Sequence, residues 1–250
     1  MTYKSFGNGK NLVCLHPIGL SGSIWEEFVS SLGNYFTVIA IDLPGHGNSA
    51  PLNSVWSIST MADAVFEDLA TISNDYSLLG ASLGGMVAQE IAVRKPERLT
   101  NLILVDTLCT LTKEQRIAIE ARAEKTSKEG MASILDDTIT RWFTTKFIHE
   151  KAEVVNKIKI YLSNCDSEIH SKCWNAISQF DLENEIRTIE IPVCAIVGSD
   201  DVSTPPYMAE KISRNVVKGK TIIIPEAAHM SMIEKPDLFT NVVKNFYMKN

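Results

Sequence analysis

Short apolar runs alternate along this chain with longer stretches in which apolar residues recur every three or four positions. The runs at 11–16, 36–43, 76–80, 99–106, 193–198 and 221–225 predict strands, and most are near-continuous Val, Ile and Leu, as in strands covered by helices on both faces. Helical period is clearest over 58–72, where Ile58, Met61, Ala62, Val65, Phe66 and Leu69 share one face and Asp63, Glu67 and Asp68 the other. A last helix starts at Pro236, a residue that suits a first helical turn, and is expected to bury Leu238, Phe239, Val242, Val243 and Phe246. Strands alternating with helices predict a parallel α/β sheet.

Between the runs ending at Asp106 and starting at Val193 that alternation stops, and residues 108–187 read as helices only. Thr112 with Gln115 three positions later marks a helix start. Ile134, Leu135, Ile139 and Trp142, then Val154, Val155, Ile158 and Tyr161, fall at helical spacing. The expected organisation is an α/β core made of 1–107 and 188–250 with a helical cap, 108–187, inserted. No repeat, low-complexity tract or linker separates the two, so the cap elaborates one domain.

At 250 residues, 45% hydrophobic and 22% charged, the composition is that of a folded globular chain and excludes disordered, collagenous and coiled-coil readings. The net charge of −6 has the wrong sign for a phosphate-backbone binder, so nucleic acid is not an expected partner. The cysteines, Cys14, Cys109, Cys165, Cys173 and Cys194, are odd in number and form no C-x-x-C pair, and two lie in strand runs; reduced core thiols are expected. The first ten residues carry no signal-type apolar stretch, and no apolar run approaches membrane-spanning length, which predicts a cytoplasmic protein with no membrane contact.

Gly80-Ala81-Ser82-Leu83-Gly84 follows the strand run at 76–80 and precedes a helical stretch. In that context G-x-S-x-G is a nucleophile turn: the serine sits in a strained conformation with its hydroxyl thrust outward, and the helix N-terminus favours negative charge developing beside it. A serine hydroxyl needs a base, and the base needs an acid to hold its tautomer. His229, in the loop after the strand at 221–225, is the expected base. Asp201, after the strand at 193–198, is the expected acid, ahead of its neighbour Asp200 and of Asp106 at an earlier strand end. The loop after the first sheet strand, His16-Pro17-Ile18-Gly19, is placed to give a second oxyanion donor, so the N–H groups of Ile18 and Leu83 form the expected oxyanion hole. One such donor typically stabilises the transition state by about 3–4 kcal/mol. His16 reads as a loop-pinning residue and the stretch 44–49 as turn chemistry. Cys165, His170 and Cys173, with His149 upstream, match no common zinc spacing. No phosphate-cradling glycine loop is present, so neither a metal nor an organic cofactor is expected.

With these motifs in the order nucleophile, acid, base, the chain resembles the α/β-hydrolase fold family over nearly its whole length. Within that family it is most similar to the 3-oxoadipate enol-lactonases, through Arg141-Trp142-Phe143-Thr144, through Cys173-Trp174-Asn175-Ala176-Ile177 leading to Phe180-Asp181-Leu182, and through Asp201 with Thr204-Pro205-Pro206. The resemblance implies a triad of Ser82, Asp201 and His229 acting on a small-molecule ester or lactone. Because the family's substrate carries a free carboxylate, it also implies that Arg141 recognises it, with Trp142, Phe143 and Trp174 walling the pocket. His16-Pro17 stands where such lactonases more often carry Asn-Ser, and Trp174 where they carry a small residue. The same fold and triad also run C–C bond hydrolysis and perhydrolysis, and serve slow-turnover ligand receptors. Epoxide hydrolases and haloalkane dehalogenases of this fold need a carboxylate where Ser82 stands. Oligomeric state is not legible in the pattern.

Overall fold

The computed structural model describes residues 1–249. Seven strands form one sheet: β1 (Tyr3–Phe6), β2 (Lys10–Leu15), β3 (Phe36–Ile41), β4 (Tyr76–Ala81), β5 (Leu99–Val105), β6 (Pro192–Gly198) and β7 (Lys218–Ile224). Their spatial order is β1-β3-β2-β4-β5-β6-β7, with β1 antiparallel to β3 and every other pair parallel. This is the mostly parallel sheet that the alternating pattern predicts.

Two strands depart from the expected set. β1 lies outside the predicted set, because Tyr3-Lys4-Ser5-Phe6 sits on the sheet edge, largely exposed, and carries no apolar run. β7 begins at Lys218 rather than near 221, since its exposed Lys-Gly-Lys start pairs with β6 from Pro192 onward without needing buried side chains.

The core helices are α1 (Ser23–Phe28), α2 (Ile58–Leu69) and α3 (Leu83–Val93). In α2 the apolar stripe Ile58, Met61, Ala62, Val65 and Leu69 is buried, Phe66 only partly, and Ser57 caps the start by accepting from the Thr60 N–H. The chain between β5 and β6 is helical: α4 (Lys113–Glu129), α5 (Leu135–Trp142), α6 (Thr145–Glu150), α7 (Ala152–Ser163) and α8 (Ser167–Ser178). Thr112 and Gln115 form the expected reciprocal cap on α4. The two stems of this insertion meet where Leu182 N–H donates to Cys109 C=O at 2.8 Å, beside a bridge between Thr110 and Asp181.

After β6 come α9 (Pro206–Asn215), α10 (Ser231–Glu234) and α11 (Pro236–Tyr247). The last buries Phe239, Val243 and Phe246, while Val242 is half-buried. Leu238 corrects the expected buried set: it is 41% exposed, on the outward side of the first turn of α11. All five cysteines are free, and Cys14 and Cys194 sit fully buried in β2 and β6.

The sheet order places the site. From β2 the sheet extends one way through β3 and β1, and the other way through β4 to β7. In open parallel sheets the crevice outside the carboxyl ends at such a reversal is where ligands bind. Here that crevice lies between the ends of β2 and β4, where His16 and Ser82 follow directly.

Candidate functional site

Ser82 leaves β4 at φ 50°, a conformation that costs a non-glycine residue about 1–3 kcal/mol and persists only where surrounding bonds enforce it. They do: its N–H donates to Val105 C=O at 2.9 Å, and its own carbonyl accepts from Gly85 N–H at 2.9 Å and Thr107 Oγ1 at 2.8 Å. The two flanking glycines are demanded by close backbone approach. A Cβ on Gly80 would lie 2.2 Å from the Gly84 carbonyl oxygen, and one on Gly84 would lie 2.4 Å from that of Leu15. The second contact presses the start of α3 against the loop leaving β2.

Ser82 Oγ lies 3.0 Å from His229 Nε2, and His229 Nδ1 lies 2.9 Å from Asp201 Oδ2. All three residues are buried. Asp201 Oδ1 accepts from the N–H groups of Ser203 at 2.7 Å and Thr204 at 2.9 Å, and Oδ2 accepts from Thr204 Oγ1 at 2.6 Å. Burial works against ionising Asp201, but His229 and these donors outweigh it and hold the carboxyl below its ordinary value. Burial also opposes charging His229, yet the Asp201 carboxylate, its hydrogen bond and the more distant Asp106 lift the imidazole above its usual 6.5. The two other candidate acids lie elsewhere. Asp200 is exposed and accepts from Ser199 Oγ, and Asp106 is fully buried without a hydrogen bond to the imidazole.

The loop after β2 is fixed by His16. Its Nδ1–H donates to Pro17 C=O at 2.7 Å, and its Nε2 accepts from Leu43 N–H at 2.9 Å, a pairing that requires the neutral ring. Burial, with His46 beside it, pushes His16 down to about 3. Ile18 follows on this loop. Among the described residues neither the Ile18 N–H nor the Leu83 N–H donates to a backbone or side-chain acceptor.

A cavity of about 260 Å³ opens over Ser82 and His229, bounded on one side by Ile18 and Met86 and on the other by the helical insertion. Arg141, Trp142 and Trp174 line it, whereas Phe143 does not: it is buried against Phe147, the rings stacked 5.2 Å apart. Arg141 is half-exposed, with Nε 3.2 Å from both Asp137 oxygens. The pattern missed a second guanidinium, Arg122, whose side chain is only 18% exposed. It pairs with the same Asp137, bonds Thr138, lies 5.2 Å over the Trp174 ring and lines the cavity. No carboxylate lines this cavity among the described residues. A larger hollow of about 520 Å³ lies among Lys10, Asp75, Asn101 and Tyr247, at the opposite ends of the strands from Ser82.

The insertion is joined to the turn that carries His229. Trp142 C=O accepts from Met230 N–H at 2.9 Å, and the buried Glu234 carboxylate accepts from Thr144 Oγ1 at 2.6 Å and Ala228 N–H at 2.7 Å.

The sequence profile of the alpha/beta hydrolase family matches residues 12–242. The chain belongs to the alpha/beta hydrolase family and is an enzyme. It is 28% identical to 3-oxoadipate enol-lactonase 2 of Acinetobacter baylyi, covering 98% of this chain and 91% of that one. It is 29% identical to the pimeloyl-[acyl-carrier protein] methyl ester esterase of Wigglesworthia glossinidia brevipalpis, over 99% and 97%. Among solved structures it superposes on the enol-lactonase from Burkholderia xenovorans LB400 with a TM-score of 0.89 and 26% identity, covering 99% and 96% of the two chains. No helix among the described residues is long and apolar enough to cross a membrane.

Proposed function

We propose that the chain hydrolyses a small carboxylic ester or lactone with Ser82 as nucleophile, His229 as base and Asp201 as the group that holds the base. The observation that carries this is the unbroken line Ser82 Oγ, His229 Nε2, His229 Nδ1, Asp201 Oδ2, with spacings of 3.0 and 2.9 Å, at the floor of a cavity. As Oγ attacks the carbonyl carbon, Nε2 takes its proton, and Asp201 stabilises the resulting imidazolium. The N–H groups of Ile18 and Leu83, both without a protein acceptor, receive the oxyanion. Collapse of the tetrahedral intermediate passes the imidazolium proton to the leaving alkoxide, which in a lactone stays tethered to the acyl group. His229 then removes a proton from the water that attacks the acyl-enzyme, and Ser82 leaves protonated.

Residues 108–187 act as a cap over this centre, with Trp142 and Trp174 as its walls. Two guanidiniums share one carboxylate, that of Asp137, beside the cavity, and no carboxylate lines the cavity itself among the described residues, so the wall is net positive. It suits a substrate with its own carboxylate, the feature shared with enol-lactonase chemistry. Arg122, more buried than Arg141, is the stronger contact. The test is a panel of p-nitrophenyl acetate, neutral lactones and carboxylate-bearing lactones. Steady turnover with preference for the last is expected; release of one equivalent followed by silence on every substrate overturns hydrolysis.

Arg122→Met should raise KM for an acidic lactone about 10- to 100-fold, the worth of a lost hydrogen bond to a charged group, and leave p-nitrophenyl acetate within about threefold. Equal effects on both substrates would remove the anion from the reading.

A pH profile carries a further expectation. His229 must be neutral to accept the Ser82 proton, and its neighbours lift its proton affinity above the ordinary 6.5. In the free enzyme kcat/KM should therefore be full at high pH and fall as pH drops through a midpoint above 6.5. A limb centred below 6.5 would mean that the Asp201 charge does not reach the imidazole.

A further inference from the structure

A buried carboxyl that plays no part in the steps above lies behind the base. Asp106 follows β5 with no solvent exposure and at φ 46°, again a conformation that a non-glycine residue keeps only under constraint. Its own N–H donates to Ile196 C=O of β6 at 2.8 Å. Oδ1 accepts from Gly198 N–H at 3.0 Å, at the strand end from which the Asp201 loop departs. Oδ2 accepts from Ser231 N–H at 3.0 Å and from Ser231 Oγ at 2.7 Å, two residues beyond His229. Neither Asp106, Gly198 nor Ser231 lines the cavity.

The ionisable groups facing Asp106 are Asp201, from the loop after β6, and His229, from the turn after β7. Three donors converge on its two oxygens, an arrangement suited to a carboxylate, which accepts only, rather than to a carboxyl that must also donate.

We propose that Asp106 is a positioning residue for the base: it ties the strand end bearing Asp201 to the turn bearing His229 and, when ionised, adds a second negative charge that favours the imidazolium. This rests on His229 acting as the base. Burial, and then the charge of Asp201, push the Asp106 carboxyl up to about 8, while His229, the Ser231 hydroxyl and the Gly198 N–H pull it back. The two groups therefore respond to each other. An imidazolium at position 229 favours the ionised form of Asp106, and an ionised Asp106 favours the imidazolium, the charge state created when Ser82 gives up its proton.

The test compares wild type, Asp106→Asn and Ser231→Ala by NMR titration of the His229 ring and by pH profiles of kcat and KM on p-nitrophenyl acetate. Asn keeps the shape but removes the charge and one acceptor. The His229 titration should drop by about one unit, the acid limb of kcat/KM should move with it, and the plateau kcat should fall roughly 10- to 100-fold with KM within about twofold. Ser231→Ala keeps the carboxyl and deletes one donor, so it should move both readouts the same way by less, a few-fold in kcat. If Asp106→Asn does not fold, Ser231→Ala alone decides.

A wild-type titration and wild-type kcat in the folded variants would overturn the proposal. Loss of stability with both readouts unmoved would equally reduce Asp106 to a structural residue. The titration needs no turnover, so an inactive wild type whose His229 still shifts in Asp106→Asn would sink the hydrolase reading and leave the coupling standing.

Discussion

Ser82→Ala is expected to lower kcat for p-nitrophenyl acetate by roughly 10⁴-fold or more while the protein stays folded. The change removes one buried oxygen atom and its 3.0 Å bond to His229, and little else. The bonds that enforce the turn run through the backbone of residue 82: its N–H to Val105, and its carbonyl from Thr107, Gly85 and Met86. Alanine keeps all of them. The turn at φ 50° is held by those bonds and by the glycines on either side, so the midpoint of thermal unfolding should move by only a few degrees. Activity measured beside a melting curve separates the two effects. A variant that folds and retains wild-type turnover would remove Ser82 from the chemistry.

Asp201→Asn should cost about 10³- to 10⁴-fold in kcat, through the wrong tautomer rather than a displaced ring. The carboxylate of Asp201 does two jobs: Oδ1 takes the N–H groups of Ser203 and Thr204, and Oδ2 takes Thr204 Oγ1 and His229 Nδ1. An amide has one oxygen. With that oxygen left on the backbone pair, its NH2 group faces Nδ1, which becomes an acceptor and leaves the ring proton on Nε2. A protonated Nε2 cannot receive the proton of Ser82. The loss should be in kcat, with KM little changed, and an asparagine variant within tenfold of wild type would show that Asp201 does not set the tautomer.

How far the fold and site were legible depends on what surrounds each residue. Strands buried on both faces must be continuously apolar, so β2 through β6 announce themselves, and Ser82, Asp201 and His229 each follow an apolar run closely enough to be read as strand-end residues that converge. β1 was not legible because an edge strand in water has no reason to be apolar. Arg122 was hidden for a related reason: α4 is polar nearly all round, burying only Ala123 and Thr126, so no apolar stripe shows which side faces inward. Phe143 shows the limit of reading neighbours together. Where α5 ends, Trp142 and Phe143 part company, one to the cavity and the other to Phe147. Leu238 parts from its neighbour in the same way: Phe239 joins the buried stripe of α11 and Leu238 faces outward.

The bonds from Trp142 and Thr144 to the turn at 228–234 bear on how such an enzyme can be recombined. Taken as a stretch of chain, the helical insertion looks exchangeable, since both ends meet at one bridge between Thr110 and Asp181. Taken as a set of contacts, it reaches position 234, far outside that stretch. Glu234 is buried and accepts from Thr144 on one side and from the residue before His229 on the other. A chimera that imports the helices of a relative lacking a hydroxyl donor at the place of Thr144 would leave the Glu234 carboxylate, beside the turn of His229, with its bond from Ala228 N–H but without the one from Thr144 Oγ1. The unit of exchange is therefore discontinuous: the helices between β5 and β6 together with one glutamate near the end of the chain.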